Sequence, residues 1–254
     1  MKSINVFPIA GVITLLLAAC SPIFYSPPSQ HVPLLTHEKE FTATGSYVSG
    51  GSDGYALKAA YALSPHMALL GSVNGVILPS NKDKDGRSGS GGIVDMGAGY
   101  FTPFSRKFVF ETYGFLGFGW MKNSFPGSVS RHPGTDGKIS AGLFNVAVQP
   151  SIGYKSKYFE AALSSKMGLV SYYGIKGKLV EMNSDQIIEG NQQEYLKANK
   201  NQFMIEPALT LSGGWEFLKI QAQFGISANI TNAVFPQETS WISIGLSYRT
   251  PRKK

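Results

Sequence analysis

From Leu218 to Ile230 the side chains alternate strictly between apolar and polar. Leu218, Ile220, Ala222, Phe224, Ile226 and Ala228 share one face, while Lys219, Gln221, Gln223, Gly225, Ser227 and Asn229 share the other. A period of two marks a β-strand, because successive side chains leave opposite faces of the chain. The pattern returns at Phe144, Val146, Val148, Pro150 and Ile152, and again at Ile242, Ile244, Leu246 and Tyr248. These runs reach about ten residues or more, against ~5–6 for strands of globular domains. Tilted strands of about 9–11 residues are what the core of a bilayer demands.

Ten such segments are predicted, at 39–49, 54–63, 67–77, 92–102, 107–120, 139–154, 158–173, 201–213, 216–230 and 240–250. Weak alternation in the first hairpin leaves eight or twelve open. Tight turns fall at Ser64-Pro65-His66, Pro103-Phe104-Ser105-Arg106, Lys155-Ser156-Lys157 and Gly214-Trp215. Longer connections fill 50–53, 78–91, 121–138, 174–200 and 231–239, always on the opposite side. Short turns at one end and longer loops at the other are the asymmetry of an outer-membrane barrel. Tyr100, Phe101, Phe110, Tyr154, Phe159 and Trp215 are expected to form an aromatic girdle near the tight turns, and Trp120, Tyr172, Tyr173 and Trp241 one at the loop end. Composition fits an exterior that meets something other than water. Only 15 % of residues are charged, 29 are glycine, and the chain has one cysteine. Collagen, coiled-coil and disulfide-stapled folds are thereby excluded.

Gln149-Pro150-Ser151-Ile152-Gly153-Tyr154, followed by Phe159-Glu160 and an aromatic C-terminal strand, resembles small Gram-negative outer-membrane barrels of the OmpA/OmpW-like class. The likeness covers residues 39–250 and implies an all-β fold, an antiparallel up-and-down transmembrane β-barrel. That class usually ends on an aromatic residue. Here Tyr248 is followed by Arg249 and Thr250 and then a basic tail at 251–254.

The cysteine lies directly behind an export signal. Lys2, the apolar run Gly11 to Leu17 and Ala18-Ala19 lead to Cys20. Leu17-Ala18-Ala19-Cys20 resembles the lipobox of bacterial lipoproteins. The resemblance implies cleavage after residue 19, a diacylglyceryl group on the Cys20 thiol and a palmitate-type chain on its amine. Ser21, in place of Asp, points to the cell outer membrane. Residues 20–38, with Pro22, Pro27, Pro28 and Pro33, read as an extended tether, and an even strand count puts the N-terminus on the periplasmic side.

The alternating register turns eight charges toward the lumen: Lys58, Asp95, Glu111, Glu160, Lys166, Glu206, Lys219 and Arg249. Four acids and four bases suggest a paired polar network filling a narrow interior, since charges away from water need partners. No enzyme is expected. His31 and His37 lie in the tether, His66 in a tight turn and His132 in a loop, none on a strand beside a serine. Asn81 to Gly86 echoes a calcium loop, but Arg87 takes the next ligand position. Gly134 to Lys138 has the wrong spacing for a phosphate loop. No metal or cofactor is expected. The net charge of +7 is diffuse, and an exported chain meets little nucleic acid. The expected partners are outer-membrane lipid and a protein docking on loop 174–200, with its polar runs 183–186 and 191–194. The reading is a lipid-anchored barrel with a structural or interaction role. Its alternatives are a small solute channel and a periplasmic β-rich lipoprotein.

Overall fold

A computed structural model describes residues 23–78, 88–125, 136–183 and 186–251. The strands are β1 (Phe41–Ser49), β2 (Asp53–Ala62), β3 (Met67–Leu78), β4 (Ser88–Pro103), β5 (Phe108–Phe125), β6 (Asp136–Lys155), β7 (Phe159–Asn183), β8 (Gln186–Asn191), β9 (Asn201–Gly214), β10 (Leu218–Ile226), β11 (Ala228–Asn229) and β12 (Ser240–Arg249). One helix, α1 (Gln192–Ala198), precedes β9. Strands β1 to β7 pair in sequence, antiparallel throughout. The sheet closes where β12 meets β1, with Thr42 opposite Arg249, and where β7 meets β9, with Phe159 opposite Gly213. Short β11 continues the line of β10 against β9, and β8 pairs only with the far end of β7. The closed wall therefore has ten staves, as expected.

Alternation sets the two faces. Along β10, Lys219, Gln221 and Gln223 are buried while Ile220, Ala222 and Phe224 are exposed. Leu57, Val73, Met96, Leu116, Phe118, Leu163 and Ile244 likewise stand on the exterior. A soluble sandwich or barrel would bury its apolar faces; here they point out and the polar faces point in. Such an exterior requires lipid. Among the described residues no helix is long and apolar enough to cross a membrane.

Glycine has a packing role in this wall. Gly97 faces Phe115, Gly142 faces Tyr173 and Gly225 faces Trp241 across neighbouring strands. A Cβ at Gly225 would lie 2.4 Å from the Trp241 ring. The missing side chain lets the opposing ring lie flat on the backbone, a known device for filling sheet surfaces.

Two parts of the girdle expectation need correction. Trp120 and Tyr173 are exposed at the loop end, and Tyr100, Phe159 and Trp215 at the turn end. Phe101, Tyr172 and Trp241, however, are buried. The physical reason is parity: Tyr172 adjoins Tyr173 and Phe101 adjoins Tyr100, so each pair must split between the faces. Trp241 shares the parity of inward-facing Ser243. At the loop end β7 runs to Asn183, well beyond the expected limit at 173, and β6 begins slightly early at Asp136. A register shift at Ser140 to Gly142 opposite Tyr173 to Lys176 inserts an extra residue in β7, where Gly174 has φ +58°. This bulge bends the hairpin, and Ile139 and Leu179 beyond it share a buried cluster with Phe24 and Tyr25.

Candidate functional site: a lumen filled by the N-terminal segment

The segment read as an extended tether lies inside the barrel. Residues 24 to 35 are buried, apart from Ser26 at intermediate exposure. The segment starts at the loop end. Phe24 N–H donates to Pro236 O at 2.9 Å, Tyr25 bridges Gln237, and Tyr172 donates its hydroxyl to Phe24 O at 3.1 Å. It leaves at the tight-turn end, where Arg249 and Lys155 both donate to Leu34 O. Glu40 then starts the return into β1.

The lining matches this backbone group by group. Lys58 Nζ donates to Ser29 Oγ and to Gln30 O, at 3.2 and 3.1 Å. Gln30 N–H donates to Gln223 Oε1 at 2.8 Å, and its side-chain amide reaches Glu206 O. Ser164 donates to Gln30 Oε1 at 2.6 Å. Gln149 donates to His31 O at 2.7 Å, and Arg249 to Pro33 O at 2.8 Å. Leu35 N–H donates to Glu111 Oε1 at 2.8 Å. Pro27, Pro28 and Pro33 carry no N–H to satisfy, so an extended strip can cross the lumen without a neighbouring strand.

The eight charges picked from register all lie in the lumen. Seven are buried, and Arg249 has an accessible side-chain fraction of 13 %. Two groups pair as expected. Lys166 meets Asp95 at 3.1 Å, while Glu160 takes Lys219 at 2.8 Å and Arg249 at 3.1 Å. The rest depart from a purely ionic network. Lys58 makes its hydrogen bonds to the N-terminal segment rather than to an acid, and Glu111 takes Leu35 N–H and the Tyr113 hydroxyl. Glu206 takes Ser227 at 3.3 Å and faces Tyr25. A fully ionic network is not needed once a peptide backbone supplies donors and acceptors.

Sequence reasoning missed Glu40 at the tight-turn rim and Glu238 at the loop-end rim, and it placed Lys155 in a tight turn without joining it to Glu40. Glu40 receives Lys155 at 2.8 Å, together with Arg249 and the Thr36 backbone amide. Burial pushes its carboxyl up, but Lys155 and Arg249 outweigh that and hold it at about 2. Glu238 takes Ser26 at 2.6 Å and also Ser52, and burial raises its carboxyl above the ordinary value against those hydrogen bonds. One signal was available for the segment itself: no Asp, Glu, Lys or Arg occurs from Ser21 to Leu35.

An apolar cluster lies at the loop-end mouth. Phe24 and Tyr25 pack with Met121, Tyr172, Leu179, Leu196 and Phe235. Leu196 comes from α1, within the loop expected to be a polar partner surface, and Asn191 caps that helix by accepting from Gln193 N–H. Part of the polar run is thus spent on local structure. Cys20, the calcium-like stretch 81–86, His132, Ser184, Asp185 and the tail residues 252–254 lie outside the described residues.

No known protein family matches this chain, and no curated protein is similar to it. Solved structures share its shape distantly. The KdgM porin matches at a TM-score of 0.39 with 11 % identity, covering 82 % of this chain and 98 % of that one. The N-terminal β-barrel domain of Pseudomonas aeruginosa OprF matches at 0.33 with 13 % identity, over 84 % and 99 % of the two chains. Ail, the attachment invasion locus protein of Yersinia pestis, matches at 0.37 with 11 % identity, over 84 % and 99 %.

Proposed function

We propose that this protein is a lipid-anchored outer-membrane barrel with a structural or interaction role, sealed by its own N-terminal segment. The observation that carries the reading is the buried strip from Phe24 to Leu35, hydrogen-bonded to side chains of β2, β5, β6, β7, β10 and β12. A strip lying along the lumen obstructs passage of solutes through it. The outer-membrane assignment is supported by the apolar exterior, the tight turns at one end and the longer loops at the other. The anchor is supported by Leu17-Ala18-Ala19-Cys20. A non-enzymatic role is supported by the described histidines. His31 sits in the strip, with neither ring nitrogen hydrogen-bonded. His37 stands beside Glu40, and His66 contacts the Phe101 carbonyl oxygen. A protein partner meeting the loop end, around residues 174–200, fits the same role.

Planar-bilayer recording tests the seal. The intact protein should pass no steady current, whereas a variant lacking residues 24–35 should conduct, once heat-shifted gel mobility shows that its barrel has formed. Steady conductance of the intact protein would instead support the solute-channel alternative.

A further inference from the structure

We propose that the mature chain begins on the loop side of the membrane and passes inward through its own lumen before forming β1. The proposal rests on the orientation above, with tight turns facing the periplasm. It reverses the sequence-based expectation of a periplasmic N-terminus.

The described path runs in one direction. Ile23 O accepts from Asn123 Nδ2 at 2.7 Å, near the loop end of β5. Phe24 and Tyr25 are held by the 230–239 connection, and Ser26 by Glu238 in the same connection. Gln30 lies at mid-depth, between Ser164, Glu206 and Gln223. Leu34 and Leu35 reach Lys155, Arg249 and Glu111 at the other end. Twelve residues from Phe24 to Leu35 span up to about 40 Å when extended, enough to cross an apolar band about 25 Å tall.

The geometry then constrains what precedes Ile23. Cys20 is three residues away, a reach of about 11 Å at most. That is less than half of the distance back to the inner rim, and the lumen is already occupied. A lipid on Cys20 therefore enters the leaflet nearest the loops. The chemistry of the segment suits this route. With no Asp, Glu, Lys or Arg from Ser21 to Leu35, no formal charge has to be matched inside the barrel. Hydrogen bonds tie the segment to eight of the ten staves, β2, β3, β5, β6, β7, β9, β10 and β12.

Epitope accessibility tests this. A short peptide epitope is inserted between Ser21 and Pro22, with a second version carrying it in the 126–135 connection and a third carrying it after Lys254. The first two should bind antibody equally on intact and permeabilised cells, and the third only after permeabilisation. If the N-terminal epitope needs permeabilisation while the 126–135 epitope does not, the inference is wrong and the barrel reading stands. If both need permeabilisation, orientation and inference fail together. An insertion that blocks heat-shifted mobility is replaced by Pro22→Cys with a membrane-impermeant maleimide, read in the same way.

Discussion

The backbone N–H of Leu35 donates to the side-chain Oε1 of Glu111 at 2.8 Å, and the Tyr113 hydroxyl donates to the same oxygen at 3.0 Å. Glu111 is fully buried. The carboxylate of the fourth residue of β5 thus receives the last amide of the lumen segment, which explains why an acid without a cationic partner is kept there.

Glu111→Ala should therefore take the acceptor away from three buried donors, the Leu35 N–H and the Tyr113 and Ser151 hydroxyls. A lost partner of this kind costs about 1–3 kcal/mol per group. Glu111→Gln keeps an accepting oxygen and should lose clearly less. The temperature at which gel mobility shifts reads the difference. Equal midpoints for parent, Gln and Ala forms would show that the segment is not held at this point.

The bridge between Tyr25 and Gln237 provides a covalent test of the segment's position. Paired residues in neighbouring extended chains lie about 5 Å apart, within the 4.4–6.8 Å Cα separation that a disulfide accepts. Tyr25→Cys with Gln237→Cys should cross-link in an oxidising compartment and give a closed loop of altered mobility, reversed by reductant. Cys20 is the only native cysteine, and each single variant is its control. Absence of the cross-link in a heat-shifted barrel would place the segment elsewhere.

Much of this architecture is legible in period-two alternation because lipid and lumen impose opposite demands on neighbouring side chains. Lys219 and Ile220 separate on that basis alone, and so do the other seven inward charges. Alternation is silent about Pro27 to Leu34, whose partners are side chains of distant strands rather than an adjacent strand. Proline there signals both an extended tether and a strip able to do without backbone donors, and only the enclosing wall distinguishes them. Leu196 was obscured for a related reason: the polar residues around it cap a short helix, while its own side chain fills the mouth. Phe101, Tyr172 and Trp241 could have been assigned from parity with their strand neighbours.

Gly225 and Trp241 form a cross-strand pair in which the ring covers the space of a missing side chain. Gly225→Ala would place a methyl group where the indole stands. Overpacking of this kind costs about 1–3 kcal/mol, so the heat-shift midpoint should fall. Trp241→Leu in the Ala background makes room and should restore part of the loss. A Gly225→Ala form as stable as the parent would mean that the indole moves freely.

Acid should loosen the inner end of the barrel through Glu40. Lys155 and Arg249 hold its carboxyl at about 2 despite burial, below the ordinary value of 4.5. A depressed folded-state value means that the unfolded chain takes up the proton first as pH falls. The stabilisation is therefore complete above about pH 5 and is lost progressively through 4.5 toward 2. A shift of this size corresponds to about 3 kcal/mol. Glu238, raised by burial at the outer end, contributes in the opposite sense, so the comparison is made with a single variant. Glu40→Gln should lower the heat-shift midpoint at neutral pH and flatten its decline between pH 5 and 3. If parent and variant decline in parallel across that window, the cluster of Glu40, Lys155 and Arg249 does not secure the inner rim.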